Sequence, residues 1–466
     1  MTSSGTRRAR PRTPLDPARL LAYDALRAVD SQDAYLNLAL PRLLTERSVT
    51  GRDAAFATEL ASGTARMRGA YDVVLDECVS GGAQVLQPAV LTALRLGCHQ
   101  LLSMRVSSYA AVTTTVELVR AAVGERPVRL VNAVLRRVGE RSFDDWVSCC
   151  SPDRAVDPVG HLAVRHSHPR WVVHVLLDSL QSLDETEAAL AANNVAAPVT
   201  LVVRPGLSTV EELLAHGGER GRWSPYAVRL VGGDPGAIPE VRTARAGVQD
   251  EGSQLAALAL ARAEVAGPDH RWLDMCAGPG GKAALLTGLA AQCDAVVVAA
   301  DRLPHRARLV RQALRGYPLT PPVVAADGTR PAWAPDTFDR VLVDAPCSGL
   351  GALRRRPESR WRRTADDLDD LVPLQIALLN SALTAVRRGG VVVYVVCSPH
   401  PAETRGVVDA VLRDRSDAGE EDARTLLPDV PDLGPGPAAQ LWPHRHGTDA
   451  MFISVLRRVD GLSPGD

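Results

Sequence analysis

The sequence predicts an α/β protein: a doubly wound, mostly parallel sheet that follows an all-helical region and a small α+β unit. From residue 248 onward, short apolar runs alternate with helical patterns, as expected of parallel strands joined by helices. Before residue 140 the apolar residues instead recur at helical spacing, with few strand signals. The 466 residues are enough for two or three domains.

The all-helical region is predicted to span residues 15–145. Its apolar positions follow the helical period in segments such as 91–97 and 128–135. Residues 1–14 are basic and rich in proline, and we expect a disordered arm there. Residues 142–167 contain an Asp–Pro break and are predicted to form a linker.

The small α+β unit is predicted over residues 160–248, and the domain with the parallel sheet over residues 249–460. In the small unit, a helix opens at His168, another covers 184–194, and the apolar run 198–203 is a predicted strand. In the sheet domain, a capping pattern starts a helix near Thr364. The predicted strands of the large sheet are 271–274, 295–300, 323–326, 340–343, 391–396 and 451–456.

Composition narrows the cellular setting. The eight cysteines have irregular spacing, which fits neither a disulfide framework nor a zinc site. No apolar run is long enough to span a membrane. We therefore expect a cytoplasmic protein that binds no metal ion and has no membrane contact. A monomer is a separate expectation, which composition does not decide.

Two of the cysteines stand out by their context. Cys347 lies in Asp344-Ala-Pro-Cys347-Ser-Gly and Cys397 in Tyr394-Val-Val-Cys397-Ser-Pro, each after an apolar run. The carboxyl ends of parallel strands lie side by side where ligands bind, so both thiols could face one pocket. A cysteine is often only a small apolar filler. The neighbouring Pro and Ser-Gly favour a functional role, because they place each thiol where the backbone turns.

A glycine-rich loop, Asp274-Met-Cys-Ala-Gly-Pro-Gly-Gly-Lys282, connects the first strand of the large sheet to a helix. Its glycines allow a ligand to approach the backbone closely. Asp301, Asp327 and Asp344 follow the next strands, where carboxylates can accept hydrogen bonds from a ribose or read an adenine edge. Each could alone be a helix N-cap. Together they predict S-adenosylmethionine, which carries a ribose and an adenine but no phosphate.

These motifs resemble those of a known family, the ribosomal RNA cytosine-C5 methyltransferases of the Sun (RsmB-like) type, which act on 16S rRNA. Near the N-terminus, segments 56–64, 94–101 and 131–137 resemble the NusB-like helical RNA-binding domain of that type. The resemblance implies a Rossmann-like, S-adenosylmethionine-dependent methyltransferase domain, with RNA, in particular 16S rRNA, as the partner. The segments that carry it in the large domain are DMCAGPGGK, AADRLP, AADGTRP, DAPCSGLGALRRRPESRW and YVVCSPHPAET.

The resemblance also implies a role for each motif. Cys397 would attack carbon 6 of the target cytosine, and Cys347 would help to remove the carbon-5 proton and release the product. The product would be 5-methylcytosine, formed through a covalent cysteine–cytosine adduct. The residues implied to bind S-adenosylmethionine are Cys276, Ala277, Gly278, Pro279, Gly280, Gly281, Lys282, Asp301, Asp327 and Asp344.

Some positions depart from the family pattern. Val395 and Val396 stand where small polar residues are usual before the nucleophile, and Ala402-Glu403-Thr404 replaces Glu-Asn-Glu. These departures bear on contacts with the base. The arginine-rich segment 354–363 follows the Cys347 motif, and we expect it to line the RNA entrance through phosphate contacts.

Two alternatives remain open. A tRNA or large-subunit rRNA methyltransferase would use the same chemistry and the same residues. A non-catalytic RNA-binding or assembly factor would need neither the thiols nor the cofactor acids. The presence of both cysteines and all three aspartates therefore argues against a non-catalytic factor.

Overall fold

The computed structural model describes residues 15–32 and 34–460. The predicted arm at 1–14 lies outside this range. Within it the chain forms two compact units, one with residues 15–173 and 356–360 and the other with 174–355 and 361–460. None of the helices in the described range has both the length and the apolar character needed to cross a membrane.

The first unit is helical. Its core is apolar, with fully buried leucines from several helices, such as Leu21, Leu60 and Leu94. Gly97 and Leu135 lie on two neighbouring helices of this core. A Cβ at Gly97 would lie 2.6 Å from the Leu135 side chain, so glycine allows the two helices to pack closely. The helices are α1 (Pro17–Gln32), α2 (Leu36–Glu46), α3 (Gly51–Arg66), α4 (Arg68–Cys78), α5 (Pro88–Leu102), α6 (Ser108–Ala122), α7 (Val128–Val138), α8 (Phe143–Cys150), α9 (Pro158–Arg165) and α10 (Arg170–Leu180), with the unit boundary inside α10.

The predicted linker at 142–167 is wrong, because this segment forms α8 and α9. Ser142 caps α8: its hydroxyl accepts a hydrogen bond from the Asp145 N–H, and the Asp145 carboxylate accepts one from the Ser142 N–H. Asp157 caps α9 by accepting from the Gly160 N–H at 2.8 Å. The Asp–Pro pair is therefore an N-cap followed by a first-turn proline, which starts a helix.

The second unit contains a small antiparallel sheet with strand order β2-β3-β1-β4. The predicted strand at 198–203 is present as β1. The other three strands are only three or four residues long, too short to give a clear alternating pattern. The elements are α11 (Leu183–Asn193), β1 (Thr200–Val203), α12 (Val210–Leu214), β2 (Gly218–Arg220), β3 (Ala227–Leu230), α13 (Pro239–Arg242) and β4 (Ala246–Val248).

The second unit also contains the large sheet, with strand order β10-β12-β9-β8-β5-β6-β7 and β11 paired with β12. Strands β5 to β9 are parallel, whereas β12 runs antiparallel to its neighbours β9, β10 and β11. The elements are α14 (Glu251–Arg262), β5 (Arg271–Asp274), α15 (Gly281–Ala291), β6 (Val296–Asp301), α16 (Pro304–Leu314), β7 (Val323–Ala325), β8 (Phe338–Asp344), α17 (Ser359–Arg362, with a unit boundary after residue 360), α18 (Asp367–Ala385), β9 (Val386–Val396), α19 (Arg405–Asp414), β10 (Ala418–Glu421), β11 (Ala439–Gln440), α20 (Pro443–His446) and β12 (Phe452–Arg458).

The predicted fold class is confirmed. The segments 341–343 of β8 and 391–396 of β9 are fully buried, which explains their continuous apolar sequence. The chain runs from β5 outward to β7 and then returns to place β8 on the other side of β5. Ligands of doubly wound sheets bind at such a reversal, outside the carboxyl ends of the strands.

Candidate active site

The two predicted thiols meet at the carboxyl edge of the large sheet. Cys397 follows the last residue of β9, and Cys347 lies three residues beyond the end of β8. These strands are parallel neighbours, with Asp344 opposite Val395, so the segments that follow them run side by side. The two Sγ atoms are 3.5 Å apart, and both cysteines are partly accessible to solvent. Both could therefore act on one substrate.

The surroundings of the two thiols have opposite effects. The pKa of Cys397 is lowered by its hydrogen bond with the Cys347 thiol and by the nearby Lys282 ammonium, which together outweigh burial and the Asp344 and Asp449 carboxylates. The pKa of Cys347 is raised by its hydrogen bond to Cys397, by burial and by the Glu403 carboxylate. Cys397 is consequently the thiol that ionises first, and the thiolate is the nucleophilic form of cysteine.

Lys282 and Asp344 form an ion pair beside the thiols. The Lys282 Nζ lies 2.8 Å from Asp344 Oδ2. Although burial opposes it, the charge of Asp344 raises the pKa of Lys282 and keeps its ammonium protonated. Both residues are in the predicted cofactor set, and the ion pair ties the first turn of α15 to the end of β8.

The glycine loop is pressed against β6 and α16. A Cβ at Gly278 would lie 2.4 Å from Asp301 Oδ2, and one at Gly280, where φ is +112°, would lie 2.7 Å from the Ala313 Cβ. Asp301 fixes the loop, because its Oδ2 accepts a hydrogen bond from the Gly278 N–H at 3.1 Å. These close contacts, and the positive φ of Gly280, favour glycine at both positions.

The remaining predicted cofactor residues differ in their local roles. Asp327 accepts hydrogen bonds from the N–H and hydroxyl of Thr329 at 3.0 and 2.7 Å, and these bonds lower its pKa. Burial raises the pKa of Cys276, which makes its thiol a poor nucleophile. The Ala277 N–H donates to the Ala300 carbonyl at 2.8 Å, which aligns the loop with β6.

Asp274, the last residue of β5, was not among the predicted site residues. It is fully buried, and neither carboxyl oxygen has a hydrogen-bond partner within the described residues. Burial and the nearby Asp344 carboxylate raise the pKa of Asp274 to about 8. Its place at a strand end, directly before the loop, was the signal that could have identified it. An unpartnered carboxyl beside a glycine-lined loop fits S-adenosylmethionine, which carries an ammonium and a sulfonium.

The arginines after Cys347 are engaged inside the protein. Arg354 binds Asp449 Oδ1 at 2.8 Å and Asp250 Oδ2 at 2.9 Å, and Arg355 contacts the same two carboxylates. Arg360 belongs to the first unit, where its buried guanidinium donates to backbone carbonyls. The expectation that segment 354–363 contacts RNA phosphates is therefore wrong for these three residues. The acidic partners of Arg354 and Arg355 lie about a hundred residues away in sequence, beyond any local pattern.

Comparisons with known proteins agree with this geometry. The family model described as 16S rRNA methyltransferase RsmB/F matches residues 262–457, and the NusB family model matches residues 16–140. A Mycobacterium tuberculosis protein named as a methyltransferase is 51% identical, over 96% of this chain and 98% of its own. Ribosomal RNA small subunit methyltransferase B of Pseudomonas putida is 33% identical, over 95% of this chain and 98% of its own.

This chain belongs to the RsmB/F family of rRNA methyltransferases. It is therefore an RNA methyltransferase of an S-adenosylmethionine-dependent family, and the predicted resemblance to that family, including its NusB-like domain, is confirmed. Within the described residues, no group of three or more His, Cys, Asp and Glu side chains could hold a metal ion.

Solved structures support the fold. The crystal structure of PH0851 matches with a TM-score of 0.77 at 20% identity, over 97% of this chain and 100% of that chain. NSun6 from Pyrococcus horikoshii, solved with SFG, matches with a TM-score of 0.54 at 17% identity, over 63% of this chain and 98% of its own. At these identities the similarity is evidence for the architecture alone.

Proposed function

We propose that this protein forms 5-methylcytosine in 16S rRNA, in the cytoplasm, through a covalent adduct between Cys397 and the target base. The observation that carries the proposal is the pair of thiols 3.5 Å apart at adjacent strand ends. A methyltransferase that acts on an oxygen or an exocyclic nitrogen does not need two thiols. Support for 16S rRNA comes from the description of the family model and the name of the Pseudomonas putida relative.

For the cofactor, we propose that the loop 276–281, with Asp301 and Asp327, holds S-adenosylmethionine. When bound, this cofactor supplies an electrophilic methyl group. Asp274 adds a buried carboxyl that can accept hydrogen bonds from a cationic ligand. The ion pair of Lys282 and Asp344 would lie at the end of the site that faces the base, because the Lys282 ammonium is close enough to Cys397 to lower the pKa of its thiol.

The proposed reaction begins at Cys397. Its thiolate forms a bond to carbon 6 of the cytosine, and the electron pair of the carbon 5–carbon 6 double bond moves to carbon 5. Carbon 5 thereby becomes nucleophilic and accepts the methyl group. Lys282 remains protonated and compensates the negative charge near the thiolate, while Asp344 holds its ammonium in place.

Cys347 completes the proposed reaction. Having passed its own proton to solvent, it takes the proton from carbon 5, and that electron pair re-forms the double bond. The bond between carbon 6 and the Cys397 sulfur then breaks, and its electron pair returns to the sulfur as thiolate. The target base has to leave its stack to reach thiols at a sheet edge.

Single substitutions in the full-length protein distinguish the roles of the two thiols. Each variant is incubated with 16S rRNA and S-adenosylmethionine. Cys397→Ser should give neither product nor adduct, because carbon 5 is never activated. Cys347→Ser should accumulate an RNA–protein species that survives denaturing gels, because the adduct is not resolved. Cys293→Ser is the matched control, since that cysteine lies at the surface after α15. An adduct trapped by the Cys397 variant would show that the roles are reversed.

The substrate is tested separately. Bisulfite sequencing of total RNA from a deletion strain should lose a 5-methylcytosine signal in 16S rRNA, and complementation with the wild-type gene should restore it. Loss of a signal in tRNA or large-subunit rRNA would instead identify that RNA as the substrate. An unchanged cytosine-methylation profile would contradict the proposed activity.

A further inference from the structure

A buried network lies next to the two cysteines. Glu403 is fully buried just before α19. Its carboxylate accepts hydrogen bonds from both the N–H of Ser348, at 2.7 Å, and the Ser348 hydroxyl. Ser348 is the residue immediately after Cys347. Glu403 therefore binds the backbone that carries one of the two thiols.

The same network reaches the other thiol. Ser398 follows Cys397, and its Oγ lies 3.0 Å from the Ser348 Oγ. Because the Ser348 hydroxyl donates to Glu403, the hydrogen bond between the serines is donated by Ser398. Gln375 of α18 donates from its Nε2 to Glu403 at 3.0 Å and to the Pro346 carbonyl at 2.8 Å. The network therefore contacts the residues on both sides of Cys347, Pro346 and Ser348, and the residue after Cys397, Ser398.

A carboxylate is a costly choice for this position. The donors to Glu403 are all neutral: an amide N–H, a hydroxyl and a glutamine side chain. Burial of an ionised carboxylate without a cation costs several kcal/mol, which such hydrogen bonds offset only in part. A neutral glutamine could accept the same backbone hydrogen bond at lower cost. The charge itself is therefore unexplained by packing.

We propose that Glu403 is a positioning residue that joins the Cys347 and Cys397 loops through Ser348 and Ser398, so that both thiols reach one cytosine in order. This inference rests on the proposed function. Glu403 lies in the run 402–404, which departs from the family pattern in sequence. Glu403 is the one glutamate in that run, and its hydrogen bonds give it a role in positioning the two thiols.

The charge of Glu403 gives the order of the two steps. Cys347 faces Cys397 and Glu403, and the Glu403 carboxylate contributes to its raised pKa. Cys397 faces Cys347, Asp344, Lys282 and Asp449, and the Lys282 ammonium contributes to its lowered pKa. The Glu403 anion thus acts on Cys347, whereas the Lys282 cation acts on Cys397 against the opposing Asp344 and Asp449 carboxylates. The nucleophile ionises first, and Cys347 keeps its proton until the adduct has formed.

Two substitutions separate position from charge in the full-length protein. Glu403→Gln keeps the shape and a backbone acceptor but removes the charge, whereas Glu403→Ala removes both. Glu420→Gln is the matched control, because Glu420 is a mostly buried carboxylate that pairs with Arg405 and Ser454. The measurements are kcat, the KM for RNA and for S-adenosylmethionine, the pH profile of kcat, and the fraction of enzyme in the denaturation-resistant adduct.

With Glu403→Ala, kcat should fall by about 10–100-fold with nearly unchanged KM values, the usual cost of a small misplacement of reacting groups. Adduct should also accumulate, as for Cys347→Ser. With Glu403→Gln, adduct resolution should be largely retained, while the acid limb of the pH profile moves to lower pH by about one unit, because the pair of thiols ionises more easily. Glu420→Gln should resemble the wild type in every measurement.

The outcomes distinguish this inference from the proposed function. If the wild type forms no 5-methylcytosine and Cys347→Ser traps no adduct, both are overturned. If those two results are as proposed but Glu403→Gln keeps the wild-type pH profile, the charge has no role and the inference is wrong. If Glu403→Ala does not fold, Glu403→Gln alone decides, since it keeps the shape of glutamate and one of its two acceptor oxygens.

Discussion

The substitution Asp274→Asn isolates the ionisation of a carboxyl group that the protein buries without a partner. Asp274 is fully buried at the end of β5, and its pKa is raised to about 8 from 3.8 by burial and by the Asp344 carboxylate. In the unfolded chain the group ionises at the usual value. Between pH 4 and pH 8 the folded protein therefore holds a proton that the unfolded chain has released.

The direction in which stability changes with pH follows from this difference in proton binding. Because the folded state binds the extra proton, the contribution of Asp274 to the free energy of unfolding decreases as pH rises from 4 to 8. The shift corresponds to at most about 6 kcal/mol, at 1.36 kcal/mol for each pH unit. Relaxation and water entry reduce the penalty for a buried ion, so we expect about 3–6 kcal/mol. Asparagine does not titrate and removes this loss.

The assay is urea unfolding between pH 5 and pH 9, followed by the fluorescence of tryptophans such as Trp272, which is buried in β5. The free energy of unfolding of Asp274→Asn should exceed that of the wild type by a margin that grows between pH 5 and pH 8 and then stays constant. Asp269→Asn is the control of opposite sign. Although burial opposes it, Arg340 lowers the pKa of Asp269 through hydrogen bonds and charge. That variant should be less stable than the wild type by a constant amount between pH 5 and pH 9, because a carboxyl with a lowered pKa loses its stabilising effect only as pH falls below 3.8. Parallel pH profiles for Asp274→Asn and the wild type would refute the reasoning.

Three further predictions concern the ionic cluster, the cofactor loop and the helical unit. Arg354→Met should lower the free energy of unfolding by about 3–5 kcal/mol, because it leaves two buried carboxylates with only Arg355. The salt dependence of RNA binding should not change in this variant, and a smaller salt slope would show that Arg354 contacts phosphate after all. Asp301→Ala removes the partner of the Gly278 N–H and should weaken S-adenosylmethionine binding by about 1–3 kcal/mol in calorimetry; wild-type affinity would remove Asp301 from the cofactor site. A chain without residues 15–145 should keep its cofactor affinity but lose RNA affinity in gel-shift assays at a fixed salt concentration. Unchanged RNA affinity would contradict the proposed RNA-binding role of that region.

The sequence determined the architecture of the large sheet and the meeting of the two thiols. Apolar runs such as 341–343 and 391–396 are strong local signals, because a parallel strand buried on both faces has no polar alternation. Once Cys347 and Cys397 were placed after parallel strands, the common edge of the sheet brought them together. The structure places their sulfurs 3.5 Å apart.

Local signals were less informative for short or capped elements. The strands β2 to β4 are too short to show a period, and the Asp157–Pro158 pair was interpreted as a break although it starts a helix. In that case the residue types were visible in the sequence. Proline breaks a helix when it lies in the interior, but it is favourable in the first turn, where Pro158 lies.

Only the tertiary structure decided which charges are compensated. The arginines 354 and 355 were expected to bind RNA, but Asp250 and Asp449 bind them from distant parts of the chain. Asp274 is unpaired and Glu403 is buried for the same reason: burial and electrostatics depend on which segments pack together across the fold. Strand formation depends on neighbouring residues and can be predicted from the sequence, whereas the energy of a charge depends on every group that surrounds it in space.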